Sequence, residues 1–274
     1  MPETANIDLS GDQASGLRRL FGSRTTQVVA FASGRESSGR TTLLVQTAAA
    51  LAAGGHSVAV IDENPAPHNA ISAFGLTARH DLMDAVAGDR PPRQVAIQAA
   101  PLIRIVPAAR AARELHVADA LHRSRLSSCM TELQGDAAFV LIDCMARRGG
   151  QLSALALAAR HLAVVVAAQS SAITHAYALI KQLAAARGGR GSFQIVITRA
   201  RSQDDARAIF SNMKRLARDQ LGVRLDFLGT AVTPITAHLA DALVTRLPPT
   251  LDAPYADGFA ATAPAARPAK SLMV

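Results

Sequence analysis

The chain has 274 residues, 49% hydrophobic and 18% charged, which suits one large α/β domain or two small ones with a sizeable core. Aromatics make up only 4% and Trp is absent, so that core must be built mostly from Ala, Val, Leu and Ile, and the two cysteines, Cys129 and Cys144, sit in no metal or redox spacing, which excludes a disulfide framework and favours a reducing cytosol. The formal net charge of +8 favours anionic partners (nucleotide, nucleic acid or acidic membrane), but no Lys/Arg block is long enough for a nucleic-acid arm, and a solvated basic surface explains the charge equally well.

Residues 1–11 are polar, and no signal peptide is visible ahead of Leu17. The segment Asp12-Gln13-Ala14-Ser15-Gly16-Leu17-Arg18-Arg19-Leu20-Phe21 follows. Asp12 is an N-cap candidate, and Ala14, Leu17, Leu20 and Phe21 fall on one helical face. A short amphipathic helix ahead of a domain is either a partner-binding peptide or a helix docked on its own domain.

From Val28 the chain alternates strand and helix. Continuous apolar runs predict strands at 28–32, 57–61, 102–106, 138–142, 162–167, 194–198 and 225–229. Helical patterns fall at 41–53, 81–87, 113–133, 150–159, 173–186, 204–220 and 236–245. This rhythm predicts an α/β fold: a doubly wound, mostly parallel sheet with helices on both faces. Ligands in such sheets bind beyond the carboxyl ends of the strands. The greasy stretch 152–168 is broken by Arg160-His161 and reads as helix then strand, not a membrane span. The predicted organisation is a tail with a short helix over 1–26, one domain over 27–248, and a disordered Pro/Ala-rich tail over 249–274.

The first strand runs into Ser33-Gly34-Arg35-Glu36-Ser37-Ser38-Gly39-Arg40-Thr41-Thr42. Gly34, Gly39, a basic residue and a hydroxyl match the P-loop frame, in which the backbone curls its N–H groups onto phosphate oxygens. A helix starting near Gly39 adds free N–H groups and the positive end of its dipole. Thr41 stands where a hydroxyl would ligate Mg²⁺. Arg40 replaces the usual lysine; it keeps the charge but is longer, planar and forked. Two strand ends supply an aspartate, Asp143 after Val140-Leu141-Ile142 and Asp62 after Val60-Ile61. Either fits a Walker-B carboxylate holding Mg²⁺ beside the phosphates, and either would also serve as a helix cap.

These segments resemble the MinD/ParA family of dimerising P-loop ATPases, from about Val28 to Leu247. The family's loop reads Lys-Gly-Gly-x-Gly-Lys-Thr-Thr; the aligned residues are Arg35-Glu36-Ser37-Ser38-Gly39-Arg40-Thr41-Thr42. Its next strand ends in Asp-x-Asp with a later Asn, matched by Asp62-Glu63-Asn64 and Asn69. Within the family the chain looks like the flagellar-number regulators of the FlhG/FleN type, because residues 12–18 fit their Asp-Gln-Ala-x-x-Leu-Arg motif. The resemblance implies ATP and Mg²⁺ as cofactors, with Gly34, Arg35, Ser38, Gly39, Arg40, Thr41, Thr42, Asp143 and Arg199 around the nucleotide. It implies Thr41, Asp62 and Asp143 at the metal, and Asp62 and Asn64 at the catalytic positions. It also implies that Asp12, Gln13, Ala14, Leu17 and Arg18 dock an FlhF-type GTPase of the signal-recognition kind. Further implied partners are a second copy bound across ATP, a flagellar transcription regulator or switch component, and an acidic membrane surface at the cell pole.

Several positions depart from the family. Arg35 replaces the lysine that reaches the partner's phosphates, and Glu36 and Ser37 replace glycines. Asn64 replaces the aspartate that orients water, and an amide accepts no proton, so ATP hydrolysis is expected to be weak. Asp143 is followed by Cys144-Met145-Ala146-Arg147 instead of Thr-Pro-Ala-Gly. Three functions stay open on the sequence: an ATP-switched flagellar regulator, a pseudo-ATPase with the same partner, and a ParA-like partition ATPase on nonspecific DNA. Residues 12–18 have no role in the third.

Overall fold

The computed structural model describes residues 26–34, 38–115, 120–135, 137–144, 151–186 and 192–231. The expected docking helix at 12–21, the helix at 236–245, the tail at 249–274, and Arg35, Glu36 and Ser37 lie outside the described residues.

Eight strands form one sheet in the order β3-β4-β2-β5-β1-β6-β7-β8. They are β1 (Gln27–Ala32), β2 (Val58–Asp62), β3 (Ile97–Ala100), β4 (Ile103–Pro107), β5 (Phe139–Asp143), β6 (His161–Ala167), β7 (Ser192–Thr198) and β8 (Arg224–Ala231). All neighbours pair in parallel except β3 with β4. The expected doubly wound parallel sheet is therefore the fold, with one antiparallel edge. The seven expected strands are all present, and β3 is the one unforeseen. Its sequence Ile-Gln-Ala-Ala carries little strand propensity and lies at the sheet edge, where pairing with β4 decides its conformation.

The helices are α1 (Arg40–Ala53), α2 (Ala70–Ala73), α3 (Leu82–Ala87), α4 (Pro92–Val95), α5 (Ala109–Glu114), α6 (Ala120–Gln134), α7 (Ala154–Ala158), α8 (Ser170–Ala186) and α9 (Gln203–Leu221). Alternate residues of β1 divide the core. Val28, Ala30 and Ala32 face the layer of α3, α6, α7, α8 and α9, while Val29 and Phe31 face α1 and α2. β2, β5 and β6 are buried along their whole length, which explains their unbroken apolar runs.

The single helix expected over 113–133 is corrected. Arg113 belongs to α5, which begins at Ala109, and α6 is separate. The start of α5 is fixed by a distant residue. Asp81 accepts from the backbone N–H groups of Arg110 and Ala111 while also capping α3 through Met83. One carboxylate thus caps two helices from a segment about thirty residues upstream, which no local pattern in 109–114 reveals.

Candidate phosphate site

Parallel pairing brings the carboxyl ends of β1, β2 and β5 level. Asp143 lies opposite Phe31 on one side and Asp62 on the other, and Phe31 lies opposite Ala163. The loop after β1 therefore emerges beside the carboxylate that ends β5. It enters α1 through Gly39, which caps the helix in the left-handed region at φ 81° with no side-chain cap. That φ requires glycine here, and the first turn carries no acidic residue. A 14-residue helix then presents an electropositive start to the mouth of β1.

Gly34 answers a different demand. A Cβ there would stand 2.4 Å from the backbone carbonyl of His175 in α8. The glycine is needed for the close approach of α8. On the far side of the loop, the Thr198 hydroxyl at the end of β7 donates to the Ser38 carbonyl at 3.1 Å. Thr198 and the α8 backbone are contributors that the sequence reading missed. The only local signal was the position of Thr198 at the carboxyl end of a predicted strand.

Asp143 is fully buried, and both its oxygens are engaged. Arg40 Nε donates to Oδ1 at 2.5 Å, and the Thr41 hydroxyl donates to Oδ2 at 2.7 Å. Arg40 Nη1 also makes a long 3.5 Å contact to the Ser33 hydroxyl. Asn64 Nδ2 donates to Thr41 Oγ1 at 3.3 Å, and Asn64 Oδ1 accepts from Ala66 N at 3.1 Å. The amide is therefore tied on both sides, to the loop helix and to its own turn.

Asp62 is also committed. Its Oδ1 accepts from Asn64 N at 3.1 Å and its Oδ2 from Ile71 N at 2.9 Å. Burial lifts its pKa to about 6, opposed by the Ile71 backbone bond and assisted by the neighbouring Asp143 charge. Asn69 caps α2 through Ser72 N and donates to the Asn64 carbonyl. Beside this network, the buried Glu63 accepts from the Ser153 hydroxyl at 2.5 Å, and Ser153 caps α7 through Ala156 N. Burial pushes the Cys144 thiol well above its ordinary pKa, with Glu63 adding to the effect, so it stays protonated.

The structure thus brings Arg40, Thr41, Asn64, Asp62 and Asp143 together, with Gly34, Ser38 and Gly39 forming the loop. Thr42, on the first turn of α1, is exposed. Arg199 follows β7 on an exposed turn at φ 58°, and among the described residues no hydrogen bond or ion pair joins it to the other members. Arg35 lies outside the described residues.

The arrangement suits a phosphate better than a Mg²⁺ ion. A helix start, a left-handed glycine and a guanidinium face the same loop. A metal at the Walker-B position would share Asp143 with the Arg40 guanidinium on Oδ1 and the Thr41 hydroxyl on Oδ2, and the guanidinium's positive charge opposes a second cation there. The Asp62 oxygens are spent on backbone N–H groups. Among the described residues no group of three His, Cys, Asp or Glu could hold a metal ion. The metal does not fit beside these side chains as they stand.

Comparison with known proteins agrees with the fold. The chain is 26% identical to the antiactivator FleN of Pseudomonas aeruginosa over 213 residues, covering 78% of this chain and 76% of FleN. It superposes on the septum site-determining protein MinD of Pyrococcus horikoshii, crystallised with Mg-ADP, at a TM-score of 0.53 and 20% identity, covering 80% of this chain and 93% of that one. It also superposes on a putative plasmid partition protein of Borrelia burgdorferi bound to AMPPNP, at a TM-score of 0.58 and 13% identity, covering 82% and 100%. Residues 26–198 match the family described as cellulose biosynthesis protein BcsQ, a span that runs from β1 through β7 and holds every residue of the phosphate site. The chain belongs to that family, and so to the MinD/ParA class of P-loop proteins.

Proposed function

We propose that this protein regulates flagellar number and placement as a MinD-like partner of an FlhF-type GTPase, and that it does so without useful ATP turnover. The similarity to FleN over 78% of the chain supports the flagellar half. The Asp12-Gln13-Ala14 and Leu17-Arg18 pattern, placed ahead of the domain that starts at β1, supports the GTPase partner. The Arg40–Asp143 pair carries the second half. It occupies the carboxylate that a catalytic metal would need. Asn64 is tied to Thr41 and Ala66 and offers no base to an attacking water. The chain acts in the cytoplasm, and reaches the pole membrane peripherally. No described helix is long and apolar enough to cross a membrane.

The test uses the full chain. Wild type should stimulate the GTPase rate of an FlhF-type protein, with little dependence on added ATP. Leu17→Asp should lose that stimulation and melt at the wild-type temperature. An unchanged GTPase rate with the variant would remove the docking claim. A second reading, an ATP-switched regulator, rests on the nucleotide-bound MinD and partition structures. It predicts ATP turnover by this chain alone, which a phosphate-release assay reads directly.

A further inference from the structure

We propose that the loop binds a nucleotide without a divalent cation, Arg40 serving as a built-in cation that bridges Asp143 to the phosphates. The inference rests on the reading of this loop as a nucleotide cradle.

A magnesium ion in a P-loop neutralises an aspartate, takes the loop hydroxyl and bridges to phosphate oxygens. Arg40 already performs the first task, through Nε on Oδ1 of Asp143. Thr41 gives its hydroxyl proton to the other oxygen at 2.7 Å, and its oxygen also accepts from Asn64 Nδ2 at 3.3 Å, which leaves it one lone pair. A guanidinium has five N–H donors in a rigid fork. With Nε committed to the carboxylate, the Nη groups are left with the long Ser33 contact among the described residues. They remain available to phosphate oxygens, and arginine binds these bidentately. Lysine, a point charge on a flexible stem, cannot span both partners in this way.

A second observation points to a ligand. The Ser38 hydroxyl, one residue before the cap, is buried with no partner among the described residues, and Ser38 is 7% exposed. A buried hydroxyl left unpaired is destabilising. A phosphate oxygen at the loop would satisfy it. The ligand class is therefore a nucleoside phosphate taken up as the metal-free anion.

Calorimetry on the full chain with ADP tests this, once with Mg²⁺ and once with EDTA. Wild type should bind with affinities within about twofold of each other. Arg40→Lys frees one oxygen of Asp143, and should make binding depend on Mg²⁺ by about tenfold or more. Thermal melts of both proteins establish that they are folded. Tighter wild-type binding with Mg²⁺ overturns the inference and leaves the nucleotide cradle standing. No binding of ADP under either condition overturns both, and leaves GTPase docking to the separate Leu17→Asp assay. Equal loss or gain in both proteins also overturns it, because Arg40 would then have no bridging role.

Discussion

At the scale of single residues, Asp62 makes the sharpest prediction. Its carboxyl lies 1% exposed, takes two backbone N–H groups and faces another buried carboxylate one strand away. Burial raises its pKa from 3.8 to about 6. The folded state therefore holds this proton more tightly than the unfolded chain does. Its contribution to stability is complete below about pH 4 and is lost as pH rises through about 6. The gap corresponds to something on the order of 3 kcal/mol. Asp84, held below its ordinary pKa chiefly by the Asp81 backbone N–H, gives an opposite slope, so the test is a difference. Urea unfolding of wild type and Asp62→Asn at pH 4.5 and pH 7 should show the wild-type advantage shrinking at the higher pH. A wild-type advantage that grows with pH would show that Asp62 titrates low. Carboxyl NMR, with a midpoint near 6, checks the same group directly.

The elements were legible to different degrees, and the differences have physical causes. Strands covered on both faces announced themselves as apolar runs, so β1, β2 and β5 to β7 were readable without any knowledge of their neighbours. The P-loop frame was readable because φ 81° at the cap of α1 admits little but glycine. What stayed hidden was set at long range. The start of α5 depends on Asp81, β3 depends on pairing with β4, and the turn of Arg40 onto Asp143 joins residues 103 apart. The sequence showed that Arg40 was not lysine, but not which group it would find. The two loop glycines now separate by mechanism. At Gly39 nothing lies within 4 Å of an added Cβ, so Gly39→Ala pays only for backbone strain, about 1–2 kcal/mol. At Gly34 the added Cβ meets the α8 backbone, which cannot rotate away. Gly34→Ala should cost about 1–3 kcal/mol or more, and should expose the α8 amides to hydrogen exchange. Equal effects of the two changes on exchange in α8 would show that α8 does not press on the loop.

At the scale of the whole molecule, charge decides which partners salt favours. Each chain carries a formal +8, so two copies that approach repel one another, whereas a chain and a nucleic acid attract. Added salt acts on both with opposite sign. At about 0.15 M the screening length is about 8 Å, short enough to remove most long-range repulsion between two basic chains. Self-association across a nucleotide should therefore strengthen as salt rises from low to physiological levels. Retention on DNA should weaken steeply over the same interval, because each phosphate contact releases a counterion. The basic residues are scattered: Arg93 lies on α4, Arg113 on α5, Arg125 on α6, and Arg207 and Arg218 on α9. Arg93 and Arg113 already contact the acidic side chains of Glu132 and Glu114. A protein designed to hold nonspecific DNA would gather such residues on one face. Sedimentation of the full chain with ATP, across a salt series, should give a mass that rises with salt. DNA retention should be marginal even at the lowest salt. A mass that falls with salt, together with firm retention on DNA at low salt, would transfer this chain from the flagellar regulators to the partition proteins.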